Sequence, residues 1–143
     1  DMDFPEDMGI IIETPGFLPA LTGFKNLQLL ASLKKRIGDR EIREILKKVG
    51  LDPNLKKHVV KYSLGMRQRL GIAQAIMEDP SLLILDEPFN GLDKQGVKDM
   101  RELIKGLRSK GKTILLASHN AGDIEELCDT VCEMDAGVLT EIR

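Results

Sequence analysis

Apolar residues along this chain alternate between short unbroken runs and runs with helical spacing. Gly9-Ile10-Ile11-Ile12-Glu13, Leu82-Leu83-Ile84-Leu85 and Thr113-Ile114-Leu115-Leu116-Ala117 are of the first kind. Each reads as a buried strand, and the run Leu82 to Leu85 has the pattern of a parallel strand covered on both faces. Between the first two, apolar positions recur at helical spacing. From Thr22 to about Arg36 the stripe is Phe24, Leu27, Leu30, Ala31 and Leu33, and from Arg40 to Val49 it is Ile42, Ile45, Leu46 and Val49. A third helix is predicted from Leu64 to Glu78 and a fourth after Asp93, with Val97, Met100, Leu103, Ile104 and Leu107 on one face.

Polar punctuation sets the boundaries. Ser63, Asp39, Asp93 and Asn120 are placed as N-caps, because each side-chain oxygen can accept from an unpaired amide of a first helical turn. Gly38 and Gly50 read as helix stops, and Asp79-Pro80 ends the third helix because a proline excludes a helical predecessor. Pro15-Gly16 is a turn, and Leu51 to Lys61 a polar connector. A short helix runs from Ala121 to about Cys128, with Asp123 an acid favourable at that terminus. Val131 to Asp135 and Val138 to Ile142, joined at Ala136-Gly137, close the chain as a hairpin. Strands alternating with helices make the fold class α/β, with an all-helical insertion between two strands of the sheet.

Asp86 and Glu87 follow the second strand at once. Ionised carboxylates are costly to desolvate unless a cation or hydrogen bonds compensate. A magnesium-phosphate site supplies that compensation: Asp86 holds the hydrated metal, while Glu87, pointing the other way on the pleat, orients a water for attack on phosphorus. The carboxyl ends of strands are also where open α/β sheets bind ligands.

These residues resemble a known family. Leu82 to Pro88 (LLILDEP) resembles the Walker B strand of the ATP-binding cassette (ABC) ATPases, and Ser63-Leu64-Gly65-Met66-Arg67-Gln68-Arg69 resembles their signature motif. Asn90-Gly91-Leu92-Asp93 is similar to the D-loop, and Ser118-His119 to the switch histidine. Order and spacing match through nearly the whole chain, and the resemblance extends to bacterial drug and antimicrobial-peptide exporters of the bacitracin type. It implies a partial P-loop NTPase (RecA-like) core built from residues 1–16 and 80–143, with the helical subdomain at 17–79.

It also implies roles. Asp86 and Glu13 would serve magnesium, Glu87 the attacking water and His119 the γ-phosphate of ATP. Ser63, Gly65 and Asp93 would act across a head-to-tail dimer, since a serine hydroxyl and an unencumbered amide at a helix N-terminus can meet phosphate oxygens. Glu13 stands where the family usually has the Q-loop glutamine; a carboxylate can ligate magnesium but cannot donate as an amide does. The signature carries Tyr62 for leucine, Leu64 for the first glycine and Met66 for glutamine, while Ser63 and Gly65 are kept. The implied partners are a second ATPase subunit and transmembrane subunits docked on the helical face, at the cytoplasmic side of the plasma membrane.

Composition narrows the alternatives. With 42% hydrophobic and 31% charged residues in 143, the chain is an ordinary globular domain, and its formal charge of -2 gives no reason to expect nucleic acid. Lys34-Lys35, Lys47-Lys48 and Lys56-Lys57 read as solvated faces, and His58 as a surface residue. No apolar run approaches the ~18 residues of a membrane span. Cys128 and Cys132 lack the companions of a zinc site and read as small packed hydrophobes.

One pattern misleads. Gly106 to Thr113 fits the phosphate-binding pattern GxxxxGK[ST], but it closes a helix and enters a strand, the reverse of a working P-loop. No other P-loop is present, and the resemblance places that element upstream of Gly9, so the sequence reads as a cassette that begins after it. An exposed sheet edge and apolar surface, favouring self-association, are expected to follow. Two rival readings stay open: an ABC ATPase of translation or chromosome maintenance, and a catalytically silent docking module.

Overall fold

The computed structural model describes residues 7–11 and 16–143. Glu13, the expected Q-loop position, lies outside them. In chain order the elements are β1 (Met8–Ile11), α1 (Gly23–Lys34), α2 (Asp39–Lys48), α3 (Leu64–Ile76), β2 (Leu82–Asp86), α4 (Lys94–Ser109), β3 (Thr113–Ala117), α5 (Ala121–Leu127), β4 (Cys132–Asp135) and β5 (Val138–Glu141). The first three strands form a parallel sheet in the order β1-β2-β3, and β4 pairs with β5 in an antiparallel hairpin. Three helices thus intervene between β1 and β2, as the periodicity predicts.

The caps explain most boundaries. Thr22, Ser63, Asp93 and Asn120 each accept from an amide of the helix they begin. Two sites differ from expectation. Lys35, in a left-handed conformation at φ 54°, ends α1 in place of Gly38. Gly38 is instead the N-cap of α2, its N–H donating to the Glu41 carboxylate at 2.9 Å, and Asp39 lies inside the helix. The amides of Glu41 and Gly38 hold the Glu41 carboxyl below its ordinary range.

Leu33, assigned to the apolar stripe of α1, is 79% exposed. At about 100° per residue it lies opposite Phe24 on the helix, off the stripe of Leu27 and Ala31. One buried position of that helix is polar: Asn26 accepts from the Leu18 N–H at 2.8 Å and donates to the Leu18 and Thr22 carbonyls, closing the loop before α1. Ile42 and Leu46 of α2, and Val49 just past its end, are buried as predicted.

The strands are apolar on both faces but covered on one. Register places Gly9, Leu83 and Ile114 in one row and Ile11, Leu85 and Leu116 in the next, and this face joins the core. Gly9 lets α3 lie directly on β1, since a Cβ there would overlap the Ala75 carbonyl oxygen. On the opposite face Ile10 is 40% and Leu115 63% exposed, and neither joins the buried core. The expected two-sided burial is therefore not found among the described residues, and the expected exposed apolar surface is.

The Gly106 to Thr113 pattern has no phosphate geometry. Helix α4 runs through Gly106 to Ser109, and Gly111 takes φ +87° just past its end. Lys112 is spent on the turn before β2, its Nζ 2.6 Å from an Asp79 carboxylate oxygen. At the chain's end, Ala136 and Gly137 at φ 48° and 80° make the left-handed turn that a two-residue hairpin requires.

Candidate functional site

The site begins where β2 and β3 end level. Asp86 is in register with Ala117, so Glu87 and the Ser118-His119 pair leave the sheet side by side. Glu87 does not continue the pleat as expected. It turns into a left-handed conformation at φ 46°, with its N–H donating to the Ala117 carbonyl at 2.8 Å. That turn, rather than strand alternation, separates it from Asp86, and it brings a Glu87 carboxylate oxygen against His119 Nδ1. The imidazole is otherwise open to solvent, its side chain 97% exposed.

Residues behind His119 hold its loop. The Ser118 hydroxyl donates to Asp123 at 2.8 Å and accepts from the Asn120 N–H at 3.0 Å. Asp123, read from sequence as a helix-terminus acid, is buried and gripped by the Arg101 guanidinium of α4 at 2.9 and 2.5 Å. Its burial is tolerable because cation and hydroxyl together compensate the charge.

Asp86 is half-buried, and no hydrogen bond or ion pair with a described residue engages its carboxylate. No three His, Cys, Asp or Glu side chains converge as a metal cage among the described residues. A lone, uncommitted oxygen donor nevertheless fits magnesium, which keeps its waters and takes one or two carboxylates plus substrate phosphate.

The start of α3 forms a second cluster. Ser63 caps it, accepting from the Met66 N–H at 3.1 Å. Gly65 faces the loop after β2 so closely that a Cβ would lie 3.1 Å from the Gly91 carbonyl oxygen. Gly91, at φ +81°, is pressed in turn against Leu64, and Asp93 caps α4 through the Gly96 N–H at 2.7 Å. Ser63, Gly65 and Asp93 are thus gathered on neighbouring segments. Tyr62 is buried just before them, its hydroxyl accepting from the Gly23 N–H at 3.2 Å, and burial raises its phenol above the ordinary value.

Sequence reasoning assigned no role to Gln68. It is buried on α3 and its amide reaches the Glu87 turn. The available signal was an amide on the face that carries Ile72, Ala75 and Ile76. Arg101 left no comparable signal, since only the tertiary fold brings α4 to Asp123.

The family model described as ABC transporter matches residues 2–90. The chain is 49% identical to the uncharacterized ABC transporter ATP-binding protein YdbJ of Bacillus subtilis (strain 168), over 92% of this chain and 43% of that protein. It is 47% identical to the bacitracin transport ATP-binding protein BcrA of Enterococcus faecalis, over 94% and 44%. The lantibiotic transport ATP-binding protein SrtF of Streptococcus pyogenes is 40% identical, over 87% and 54%. The dimeric ATP-binding cassette MJ0796, solved in a post-hydrolysis state with ADP and Pi, superposes with TM-score 0.82 at 22% identity, over 94% of this chain and 62% of that one.

This chain belongs to the ABC transporter family, and its fold is that of the ABC ATPase cassettes. It spans about half the length of the curated relatives it matches. No helix among the described residues is long and apolar enough to cross a membrane.

Proposed function

We propose that this chain is the Walker B, signature and switch-histidine part of the ATP-hydrolysing subunit of an ABC exporter. The observation that carries the reading is the contact of Glu87 with His119 at the level strand ends, beside an uncommitted Asp86. In the complete protein, Asp86 and Glu13 hold magnesium, which would neutralise phosphate charge when bound. Glu87 orients the attacking water and can take its proton, and His119 meets the γ-phosphate while fixing the Glu87 carboxylate. Ser63, Gly65 and Asp93 serve the nucleotide of a second subunit in a head-to-tail dimer, a reading supported by the dimeric state of MJ0796. Transmembrane subunits dock on the helical segment at the cytoplasmic face. Relatives named for bacitracin and lantibiotic transport support an antimicrobial peptide as cargo.

Glu87→Gln in the complete protein tests the role directly. Hydrolysis should fall below about a thousandth of its original rate, with ATP binding kept, because an amide cannot take the proton. Retained turnover would remove Glu87 from the chemistry. Among the described residues there is no strand-to-helix phosphate loop. Calorimetric titration of this chain with Mg-ATP should accordingly show no binding, whereas micromolar affinity would mean that another element cradles the triphosphate.

A further inference from the structure

Glu87, at φ 46°, occupies a backbone conformation that non-glycine residues avoid. Such a conformation persists only where its surroundings over-determine it, and here they do. The Glu87 N–H is tied to Ala117, and its carbonyl oxygen accepts from the Asn90 N–H at 3.2 Å. A third restraint comes from a distant part of the chain. Gln68 Nε2, on α3, donates to the same Glu87 carbonyl at 3.1 Å and to the Pro88 carbonyl at 2.9 Å.

Gln68 is 6% exposed, so water has little access to replace those two bonds. Both protons of one amide nitrogen are spent on consecutive carbonyls, which fixes the peptide plane between Glu87 and Pro88 relative to α3. The geometry points to Gln68 as a positioning residue: by clamping the Glu87 and Pro88 carbonyls it holds Glu87 in its left-handed turn and so keeps the carboxylate against His119. Helix α3 also begins at Ser63 and Gly65. The clamp therefore makes one rigid helix responsible both for the end offered to a partner's phosphate and for the placement of this chain's own acid. The inference rests on Glu87 orienting the attacking water, but its test does not.

The test is Gln68→Met, which keeps length and volume but removes both donors. The chain has two histidines, and His58 is exposed and far in sequence from Glu87 and His119, so it serves as an internal reference. Long-range proton-nitrogen NMR of 15N-histidine protein reports which ring nitrogen carries the proton. In the unmodified protein the His119 ring should show Nδ1 engaged and differ from His58. In Gln68→Met it should move to the His58 pattern, with the Glu87 amide exchanging faster while the amides of Leu83 and Leu85 keep their protection.

In the complete protein, kcat should fall about a hundredfold with nucleotide affinity within about twofold, the signature of a misplaced group rather than a lost binding contact. Should Gln68→Met fail to fold, Gln68→Asn is read the same way, because it keeps the amide but is too short to reach both carbonyls. An unchanged His119 ring in a folded variant would overturn the clamp, as would a His119 ring that matches His58 in the unmodified protein. Neither result depends on nucleotide chemistry, so failure of the clamp is distinguishable from failure of the catalytic reading, which Glu87→Gln decides.

Discussion

The two faces of the parallel sheet are built from nearly the same side chains and have opposite fates. One presents Gly9, Ile11, Leu83, Leu85, Ile114 and Leu116 to the helices, with Leu83 and Leu85 at 1% and 2% exposure. The other presents Ile10, Ile84 and Leu115, the last 63% exposed, and none of the three joins the buried core. Composition does not distinguish the two faces; only the helices do. Hydrophobic stabilisation follows the area removed from water, so equal leucines on opposite faces contribute unequally.

That comparison can be pressed at both extremes. The largest stability effect belongs to the covered face: Leu85→Ala should cost about 2–5 kcal/mol in denaturant unfolding, because truncation leaves a cavity in a packed core. A loss no larger than that of an exposed residue would mean that the covered face is not a core.

An intermediate effect is expected at Tyr62, a polar anchor on the covered side. Removing its hydroxyl in Tyr62→Phe should cost about 1 kcal/mol, since the Gly23 N–H loses its partner. Its pH dependence has a definite sign. Burial raises the phenol of folded Tyr62 above the ordinary 10.0, so its contribution is complete below that value and declines as pH climbs toward the folded one. Tyr62 is the sole tyrosine in a sequence without tryptophan, so ultraviolet titration reads it directly. Ionisation at or below the ordinary value would contradict the burial.

The smallest stability effect should come from the uncovered face. Leu115→Thr should change stability by no more than about 0.5 kcal/mol. In sedimentation experiments it should reduce self-association of the 143-residue chain, because it removes apolar surface that is exposed among the described residues. A cost comparable to Leu85→Ala would show that the second face is covered after all.

Several features of the site were legible before any coordinates. Caps at Ser63, Asp93 and Asn120, the hairpin at Ala136-Gly137 and the false phosphate loop at Gly106 to Thr113 follow from local chemistry and order along the chain, whereas the pairing of His119 with the Asp86-Glu87 strand end was implied by the family resemblance. Errors arose where sequence offers two equivalent devices. Gly38 could stop one helix or cap the next, and only the position of Glu41 decided for the cap. Leu33 looked like stripe because a leucine was present, although its angle on the helix put it in solvent.

What the sequence by itself determined is the set of elements, their order and the identity of the chemical groups at the strand ends, since these depend on short-range periodicity, caps and turns. The tertiary structure alone decided which face of each apolar strand is buried, that Glu87 turns left-handed out of the strand, and that Gln68 and Arg101 reach across from other helices to hold the Glu87 turn and the His119 loop. The physical reason is range. Helix and strand signals are written within a few residues, whereas a buried amide or a compensated charge finds its partner 19 to 22 positions away, where no local pattern records it.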